Sequence, residues 1–351
     1  MRQTKRTNYQ LGPSFRTQGG ISSVLYTYRV HLSGRLNMKF IPTYSGRSRI
    51  KDLAFFLYAL VRVLFINLSG EKALFQIHTS TYGSYIRKSI LARLCLLFRK
   101  PVVLHIHGAD FDRFIEEESW QPGVVSLLNR VDRLVVLSES WKQYLSKYVS
   151  PEKITVIYNP IRETRQAYVE PPSGGAAKIL FMGRLGQRKG TYDLLEAVRR
   201  LADEEFVLDL YGDGENEKVK GLVKGYGLEK HIKVHGWVPH SEVTGIYDSS
   251  DVLVLPSYSE GLPMSVIEGM GRGLPIIASD VGGIPEALED GDNGFVVRPG
   301  DVDKLAERLK SLITDPGLRK EMGKRSLEKA RAKFSAERVG AQLEKLYAEI
   351  P

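Results

Sequence analysis

Two glutamates eight residues apart, Glu260 and Glu268, are the residues of this sequence best placed to do chemistry. Glu260 closes a loop after the apolar run Val252–Pro256, and Glu268 lies further on, in a predicted helix. This strand–loop–helix order places Glu260 beside a helix N-terminus, whose free backbone N–H groups favour an anion such as a diphosphate. Because a carboxylate repels phosphate, Glu260 is better suited to sugar hydroxyls or to a developing positive charge.

A second chemical feature is the glycine-rich loop GRLGQRKG at 183–190, which follows the first apolar run of the second half. Gly183 lets the backbone approach a ligand closely. Arg184 and Lys189 add two positive charges at the carboxyl end of the predicted strand, where α/β proteins bind ligands. Two such charges suit a diphosphate, because they neutralise it without a metal ion.

Two other phosphate motifs are excluded. The order Lys-Gly-Thr at 189–191 is not the Gly-Lys-Thr of a P-loop. Gly212-Asp213-Gly214 begins like a dinucleotide fingerprint, but Glu217 stands where that motif needs glycine.

The first half offers weaker signals. Gly19 and Gly20 precede a predicted helix and indicate a loop that approaches a phosphate or a sugar, although many turns contain paired glycines. His105 and His107 are two apart on a predicted strand and so share a face. A metal pair is one interpretation of these histidines. The favoured one is a single His107 lining a cleft, since no third ligand is evident.

The sequence resembles the family-four retaining glycosyltransferases, the glycosyl transferases group 1. The resemblance rests on Glu260 and Glu268, the loop GRLGQRKG, the pair Gly19-Gly20, His107, and Asn159-Pro160 of VIYNP. The resemblance covers nearly the whole chain. It implies an α/β protein of the GT-B fold, with two Rossmann-like, doubly wound parallel-sheet domains that face each other across a cleft. It also implies an enzyme that moves a sugar from a nucleotide-sugar donor to an acceptor.

The resemblance assigns roles by position. Arg184 and Lys189 would hold the donor diphosphate, Glu268 the ribose hydroxyls and Glu260 the donor sugar, while His107 would lie near the reacting sugar. The catalytic residues implied are therefore His107, Glu260, Arg184 and Lys189. The residues expected to bind the donor are Gly19, Gly20, Gly183, Trp237, Val238, Gly261, Leu262, Pro263 and Glu268.

The expected reaction needs no cofactor and no metal site. Retention of the anomeric configuration is implied by the family. No residue is placed as an obvious nucleophile, so front-face attack by the acceptor hydroxyl is the hypothesis.

The elements that must position these residues alternate between short β-branched runs and amphipathic stretches, which predicts two doubly wound α/β domains. The only clear linker is the segment 170–178. The predicted domains are 1–172 for acceptor binding, 173–334 for the nucleotide-sugar, and a C-terminal helix at 335–351 returning to the first. The polar stretch 5–10 departs from the apolar first strand of the family, which indicates an edge position or a misassigned start.

Charge is unevenly distributed along the chain. The first hundred residues hold 17 Lys and Arg against two acidic residues, Asp52 and Glu71. This asymmetry predicts an anionic partner, either a membrane surface or a lipid phosphate, unless it is simply a solvated face. The apolar stretch Leu53–Leu68 is too short to span a bilayer, so a buried helix is favoured. The stretch at 83–100 could lie on anionic lipid or pack into the core with a solvated back.

The leading hypothesis is thus a glycosyltransferase with a lipid-linked or polysaccharide acceptor, in cell-surface polysaccharide or glycolipid biosynthesis. A sugar-nucleotide epimerase of the same fold is the alternative, and an inert basic scaffold is a weaker one. No nucleic-acid partner is expected, because the basic half lacks a stacking motif. One cysteine, Cys95, and the lack of a secretory signal peptide favour a cytoplasmic location, with peripheral attachment to the inner face of the plasma membrane left open.

Overall fold

A computed structural model describes residues 6–117, 119–162, 165–169 and 175–351. The chain divides into two compact units: unit 1 comprises Met1–Arg162 with Phe334–Pro351, and unit 2 comprises Glu163–Lys333. The division falls ten residues before the predicted boundary at 172/173. The first five residues of the predicted linker, 170–174, lie outside the described residues.

Unit 1 is built on a six-stranded parallel sheet in the order β2-β1-β3-β4-β5-β6. Its strands are β1 (Thr7–Pro13), β2 (Met38–Tyr44), β3 (Ala73–Thr79), β4 (Val102–Ile106), β5 (Arg133–Val136) and β6 (Ile154–Val156). Its helices up to β6 are α1 (Gly20–Thr27, continued by a π-helical turn Tyr28–Leu32), α2 (Arg49–Leu68), α3 (Tyr82–Leu97), α4 (Phe111–Glu116), α5 (Gln121–Arg130) and α6 (Glu139–Leu145).

The strand order of unit 1 reverses between β1 and β3, since β2 lies on one side of β1 and the later strands lie on the other. Such a reversal opens a crevice at the carboxyl ends of the two strands, where open α/β sheets bind ligands. The segments that leave this edge are the loop after Pro13 and the segment after Thr79.

The expectation of an edge or misassigned first strand is wrong, because β1 is an inner strand paired with β2 and β3. Its polar side chains are buried and hydrogen-bonded. Asn8 donates through Nδ2 to the carbonyl of Leu36 at 2.6 Å. Gln10 contacts Tyr347 and His78 at 3.1 and 2.9 Å. Satisfied hydrogen bonds offset the desolvation that would otherwise exclude polar residues from an inner strand.

Helix α2 exposes the apolar face that the sequence was expected to bury, and α3 exposes the apolar face for which both lipid contact and core packing were considered. In α2 only Ala59, Val63, Ile66 and Asn67 are buried, and the apolar side chains of its outer face are solvent-exposed. In α3, Ile86, Ile90 and Leu97 are exposed. Lys88, expected on the polar side, is instead buried. Neither a buried α2 nor an α3 with a solvated polar back describes this unit.

Unit 2 also has a six-stranded parallel sheet, in the order β12-β11-β10-β7-β8-β9. Its strands are β7 (Ala177–Met182), β8 (Phe206–Tyr211), β9 (Ile232–Val234), β10 (Val252–Leu255), β11 (Ile276–Ser279) and β12 (Gly294–Val297). The helices from β7 onward are α7 (Thr191–Arg199), α8 (Asn216–Gly225), α9 (His240–Asp248), α10 (Met264–Gly271), α11 (Ile284–Ala287), α12 (Val302–Thr314) and α13 (Pro316–Phe334).

The strand order of unit 2 reverses between β7 and β10. The ligand crevice expected at that reversal is therefore lined by the loop after Met182 and the loop after Leu255. These loops carry the two segments that the sequence singles out, 183–190 and 256–263. The predicted fold class, two doubly wound parallel-sheet units, is confirmed.

The last helix, α14 (Ala336–Ala348), belongs to unit 1. Val339, Leu343 and Leu346 recur at helical spacing and are buried, while its exposed face carries charged residues such as Glu344. Arg35 forms a 2.6 Å ion pair with Glu344.

Unit 2 requires glycine at position 190, where the chain leaves the cationic loop to begin α7. Its φ is +67°, and a Cβ there would lie 1.9 Å from the carbonyl oxygen of Pro256. We expect Gly190→Ala to destabilise unit 2 by about 2 kcal/mol or more, because both the backbone conformation and the contact forbid a side chain.

Urea unfolding followed by circular dichroism measures this loss. Gly221→Ala is the matched control, because Gly221 lies in α8 with open space around its Cβ position. That variant should be neutral or more stable by about 0.5–1 kcal/mol. Equal unfolding midpoints for wild type and Gly190→Ala would contradict the argument.

Candidate active site

The cationic loop of unit 2 holds its two charges in different surroundings. After β7 the chain passes Gly183 and Arg184 and turns through a 3₁₀ helix that ends at Lys189. The Arg184 side chain is 68% exposed and lies 3.5 Å from the Asp213 carboxylate. The Lys189 side chain is only 13% exposed. Arg184 is thus free to meet a ligand in solvent, whereas Lys189 is fixed from within the unit.

Glu260 is the partner of Lys189. The carboxylate is 7% exposed, and its Oε1 accepts from both Lys189 Nζ and the Ser257 hydroxyl, the latter at 2.7 Å. Two residues that the sequence predicted on separate loops are therefore in direct contact. A low-exposure ion pair with a further hydrogen bond holds its two loops together, because removing one partner would leave the other charge uncompensated.

The segment after Glu260 is held by a pair of glycines that the sequence analysis missed. Gly283 donates its backbone N–H to the carbonyl of Gly261 at 2.5 Å. A Cβ at Gly282, where φ is +58°, would lie 1.9 Å from the carbonyl of Glu260. The Gly-Gly pair after β11 was the available signal. Leu262 and Pro263 are buried here, and Pro263 caps the start of α10.

Glu268 lies in the second turn of α10 and is partly buried. The Tyr247 hydroxyl donates to its Oε2 at 3.4 Å. Glu268 contacts Tyr247, whereas Glu260 contacts Lys189 and Ser257. The two glutamates therefore have different surroundings despite their spacing.

Beside the ends of β8 and β9 is an open depression of about 540 Å³, lined by Gly212–Lys218, Gly236 and Trp237. Trp237 is 43% exposed and offers an aromatic face to it. Val238 follows Trp237 but does not line the depression. A Cβ at Gly183 would meet ordinary contact distances, the nearest being 3.7 Å to Leu255, so local space does not require glycine there.

In unit 1, Gly19 and Gly20 stand where the sequence placed them. Gly19 is the N-cap of α1, with φ at 128°, and Gly20 is its first helical residue. Both are exposed. A Cβ at Gly19 would meet no atom within 4 Å, so the backbone conformation, and not crowding, favours glycine.

His107 follows β4 at the same edge of the sheet, and it is accompanied by two further histidines. His78 Nδ1 and His107 Nε2 are 2.9 Å apart. The rings of His105 and His107 stack with centroids 4.1 Å apart. The sequence did not single out His78, which lies on β3. His78 comes close to His107 only because β3 pairs with β4.

Each of the three histidines offers a nitrogen atom, and these atoms lie within 4.8 Å of one another. His78 thus supplies the third candidate metal ligand that was not evident from the sequence. Tetrahedral zinc with Zn–N bonds of 2.0–2.1 Å separates its ligand nitrogens by roughly 3.3 Å. The 2.9 Å separation of His78 and His107 is instead that of a hydrogen bond. The geometry therefore favours a hydrogen-bonded histidine cluster of neutral rings.

Burial keeps these rings neutral. Desolvation lowers the pKa of His78 and of His105 well below the ordinary value, and it lowers the pKa of His107 to about 3. A neutral imidazole carries one N–H donor and one acceptor nitrogen, so each ring can both donate and accept.

Comparison with known proteins follows the same division of the chain. Residues 163–329 match the family described as Glycosyl transferases group 1, and residues 31–165 match Glycosyltransferase Family 4.

Two relatives illustrate the sequence similarity. The chain is 30% identical over 251 residues to an uncharacterized glycosyltransferase of Methanocaldococcus jannaschii, covering 71% of this chain and 69% of that protein. It is 29% identical over 267 residues to a putative colanic acid biosynthesis glycosyltransferase of Salmonella typhimurium, covering 72% of this chain and 66% of that protein. The chain thus spans slightly less than two thirds of the length of the colanic acid relative.

The structure is also similar to that of Anabaena HepE in complex with UDP-glucose, with a TM-score of 0.77 and 18% identity, covering 98% of this chain and 100% of that one. At this identity the similarity shows the fold alone, which is GT-B.

The lowered pKa values of the three histidines make the stability of unit 1 dependent on pH. Their pKa values in the folded protein lie below the value of about 6.5 in an unfolded chain. Below pH 6.5 the unfolded chain takes up protons that the folded unit refuses, so the free energy of unfolding falls. We expect a loss of up to about 1.4 kcal/mol per pH unit for each histidine between pH 6.5 and the folded pKa.

A Trp237→Phe background leaves Trp120 and Trp141, both in unit 1, as the fluorescent reporters of urea unfolding. The unfolding midpoint should be constant above pH 7 and fall steadily from pH 6.5 to pH 5. A midpoint that does not change across this range would show that the histidines are not held neutral.

Proposed function

The chain belongs to the group 1 glycosyltransferases, and we propose that it is a retaining enzyme which transfers a sugar from a nucleotide-sugar to a lipid-linked or saccharide acceptor. The observation that carries this proposal is the pairing of Lys189 with Glu260 beside the exposed Arg184, at the strand-order reversal of unit 2. That position is where doubly wound sheets bind nucleotides.

The donor diphosphate would lie against the cationic loop. Arg184 is exposed and oriented by a weak contact to Asp213, so a phosphate group can replace that contact. Lys189 can share its three N–H donors between Glu260 and a phosphate oxygen. The two charges would stabilise the nucleotide as it leaves, which is an electrostatic role fixed before the reaction. No metal ion is needed for that role.

The remainder of the nucleotide would lie along unit 2. Glu268, partly buried and held by Tyr247, would accept from the ribose hydroxyls. Trp237 and Val238 would lie beside the base, for which the neighbouring depression gives room. The UDP-glucose bound to the structurally similar HepE protein supports a uridine donor as the first to be tested.

In unit 2, Glu260 and the backbone of Gly261 and Leu262 would contact the donor sugar. In unit 1, His107 would hydrogen-bond a sugar hydroxyl. Lys189 and Ser257 already engage the Glu260 carboxylate, which disfavours a role as a free nucleophile. We therefore propose front-face attack. The acceptor oxygen bonds to the anomeric carbon as the bond from that carbon to the phosphate oxygen breaks, and the acceptor proton passes to the departing phosphate.

Replacing both cations should abolish transfer and leave the fold intact. The double variant Arg184→Ala/Lys189→Ala is expected to lose about 10³-fold or more in kcat, because removal of a single preorganised donor already costs about 10²–10³. Transfer is measured with a panel of UDP-, GDP- and ADP-sugars, and folding by circular dichroism.

The control for that variant removes the same charge elsewhere. Lys304→Ala/Lys324→Ala breaks two exposed ion pairs, with Glu307 and Glu321, and should retain full activity. A donor site on the cationic loop is ruled out if the Arg184/Lys189 variant stays active.

A membrane surface is the proposed location of the acceptor, because unit 1 exposes a continuous apolar face. On the contacting helices α2 and α3 the exposed apolar residues recur at helical spacing. They are Leu53, Leu57, Val61, Leu64, Phe65 and Leu68 of α2, and Ile86, Ile90 and Leu97 of α3.

Charge complementarity supports an anionic bilayer as the proposed occupant of this face. The exposed cations Lys51, Arg62 and Arg93 lie on the same two helices. An apolar face flanked by Lys and Arg binds in the interface of an anionic membrane. Among the described residues no helix is long and apolar enough to cross a membrane, so contact would be peripheral.

Liposome flotation tests the membrane proposal. The wild-type protein should float with vesicles containing phosphatidylserine, less so at high salt and less with pure phosphatidylcholine. Val61→Glu/Phe65→Glu should reduce flotation by at least about 10-fold, because it buries two charges at the interface. Val169→Glu, which alters an exposed apolar residue of unit 2, is the control and should float normally.

Failure of the wild type to float, or equal flotation with neutral vesicles, would refute the proposal. Sedimentation of the same variants distinguishes a second copy of the chain as the occupant, since a dimer would then dissociate in the Val61/Phe65 variant.

A further inference from the structure

The buried polar side chains of unit 1 form one hydrogen-bonded string that runs from the C-terminal helix to His107. Its members are Tyr347, Gln10, Gln76, His78, His105 and His107. We propose that Tyr347 of α14 is a positioning residue that fixes the tautomer of His107, so that Nδ1 is presented as an unprotonated hydrogen-bond acceptor. The catalytic meaning of this inference rests on the proposed function, whereas the tautomer itself does not.

The Tyr347 hydroxyl joins the two amides of the string and has a single hydrogen to give. Its hydroxyl donates to Gln76 Oε1 and accepts from Gln10 Nε2 at 3.1 Å. Because the hydroxyl cannot donate to both amides, the direction of this one proton determines how each amide must face.

The arm through Gln10 leads to His107. With its NH₂ group turned to Tyr347, Gln10 offers Oε1 to His78 Nε2, at 2.9 Å. An amide oxygen only accepts, so the proton of His78 is on Nε2 and its Nδ1 is a lone pair. That lone pair accepts from His107 Nε2, also at 2.9 Å. The single proton of neutral His107 is thus on Nε2, and Nδ1 is left as the acceptor.

The arm through Gln76 leads to His105. Gln76 accepts the tyrosine proton on Oε1 and so donates from Nε2 to His105 Nδ1, at 2.9 Å. The proton of His105 must then be on Nε2. This buried atom has no hydrogen-bond partner among the described residues. This buried Nε2–H without an acceptor destabilises the folded unit, and the other hydrogen bonds of the string offset the loss.

In the reversed arrangement every bond of the string changes direction. Tyr347 would donate to Gln10, both amides would flip, and each histidine would carry its proton on Nδ1. The six side chains change together because each middle member both gives and receives one hydrogen bond. Tyr347 therefore acts on His107 over two intervening side chains, without touching it.

An acceptor nitrogen suits one class of ligand. His107 Nδ1 can receive a hydrogen bond from a sugar hydroxyl, but it repels the oxygen of an unprotonated phosphate, which also only accepts. The string therefore makes the unit 1 site selective for hydroxyl-bearing sugars.

Nitrogen NMR of protein labelled with ¹⁵N-histidine reads the tautomers directly, since protonated and unprotonated ring nitrogens resonate far apart. In the wild type we expect His107 and His78 protonated at Nε2. Tyr347→Phe should leave both as tautomer mixtures. Tyr85→Phe is the matched control, because it removes another buried hydroxyl of unit 1, one without a hydrogen-bond partner in the described part of the chain. It should not alter the spectrum.

Gln76→Glu tests the two arms separately and is conservative in shape. A carboxylate accepts from both neighbours, so the proton of His105 should move to Nδ1 while His107 keeps the wild-type tautomer. Wild-type His107 protonated at Nδ1, or a Tyr347→Phe spectrum identical to that of the wild type, overturns the inference.

Activity supplies the second readout. Tyr347→Phe is expected to lower kcat about 10-fold while nucleotide binding to unit 2, followed by thermal shift with UDP, is unchanged. If the wild type transfers no sugar but shows the expected tautomers, the proposed function fails and the inference about the string stands.

Discussion

The donor half of this protein depends on one ion pair, between Lys189 and Glu260. The two residues are 71 positions apart and leave the ends of neighbouring strands, β7 and β10, where the strand order of unit 2 reverses. Both are largely shielded from solvent, so each charge needs the other. The pair therefore fixes the cationic loop against the segment 256–263, and it holds the lysine at a defined place. A fixed charge costs no reorganisation during reaction.

The backbone around this pair is as constrained as the charges. Gly190 and Gly282 each hold a left-handed conformation in which a Cβ would overlap a carbonyl oxygen at 1.9 Å. One of these carbonyls belongs to Pro256 and the other to Glu260. Both glycines therefore allow other loops to pack closely against the segment 256–263. This close packing holds the segment in position although it lacks regular secondary structure.

The sequence predicted the fold of unit 2 and singled out the two loops at its strand-order reversal, because strand runs and turn glycines are local features. It failed where the answer depends on distant partners. The polarity of β1 appeared unsuitable for an inner strand until Gln10 met a tyrosine 337 positions away. The periodicity of α3 showed an apolar face but could not show that this face points outward and that Lys88 is buried. His78 was overlooked because only sheet pairing brings it to His107.

The two units differ in electrostatics: unit 2 carries fixed positive charges, whereas the histidine cluster of unit 1 is neutral. Unit 2 offers two cations, Arg184 and Lys189, and balances the more buried one with a carboxylate. The histidine cluster of unit 1 is desolvated so strongly that a positive charge on His107 is excluded at neutral pH. A neutral ring neither attracts the diphosphate nor competes with the cationic loop for it. Unit 2 thus presents charges that suit phosphates, and unit 1 presents a neutral hydrogen-bond acceptor that suits sugar hydroxyls.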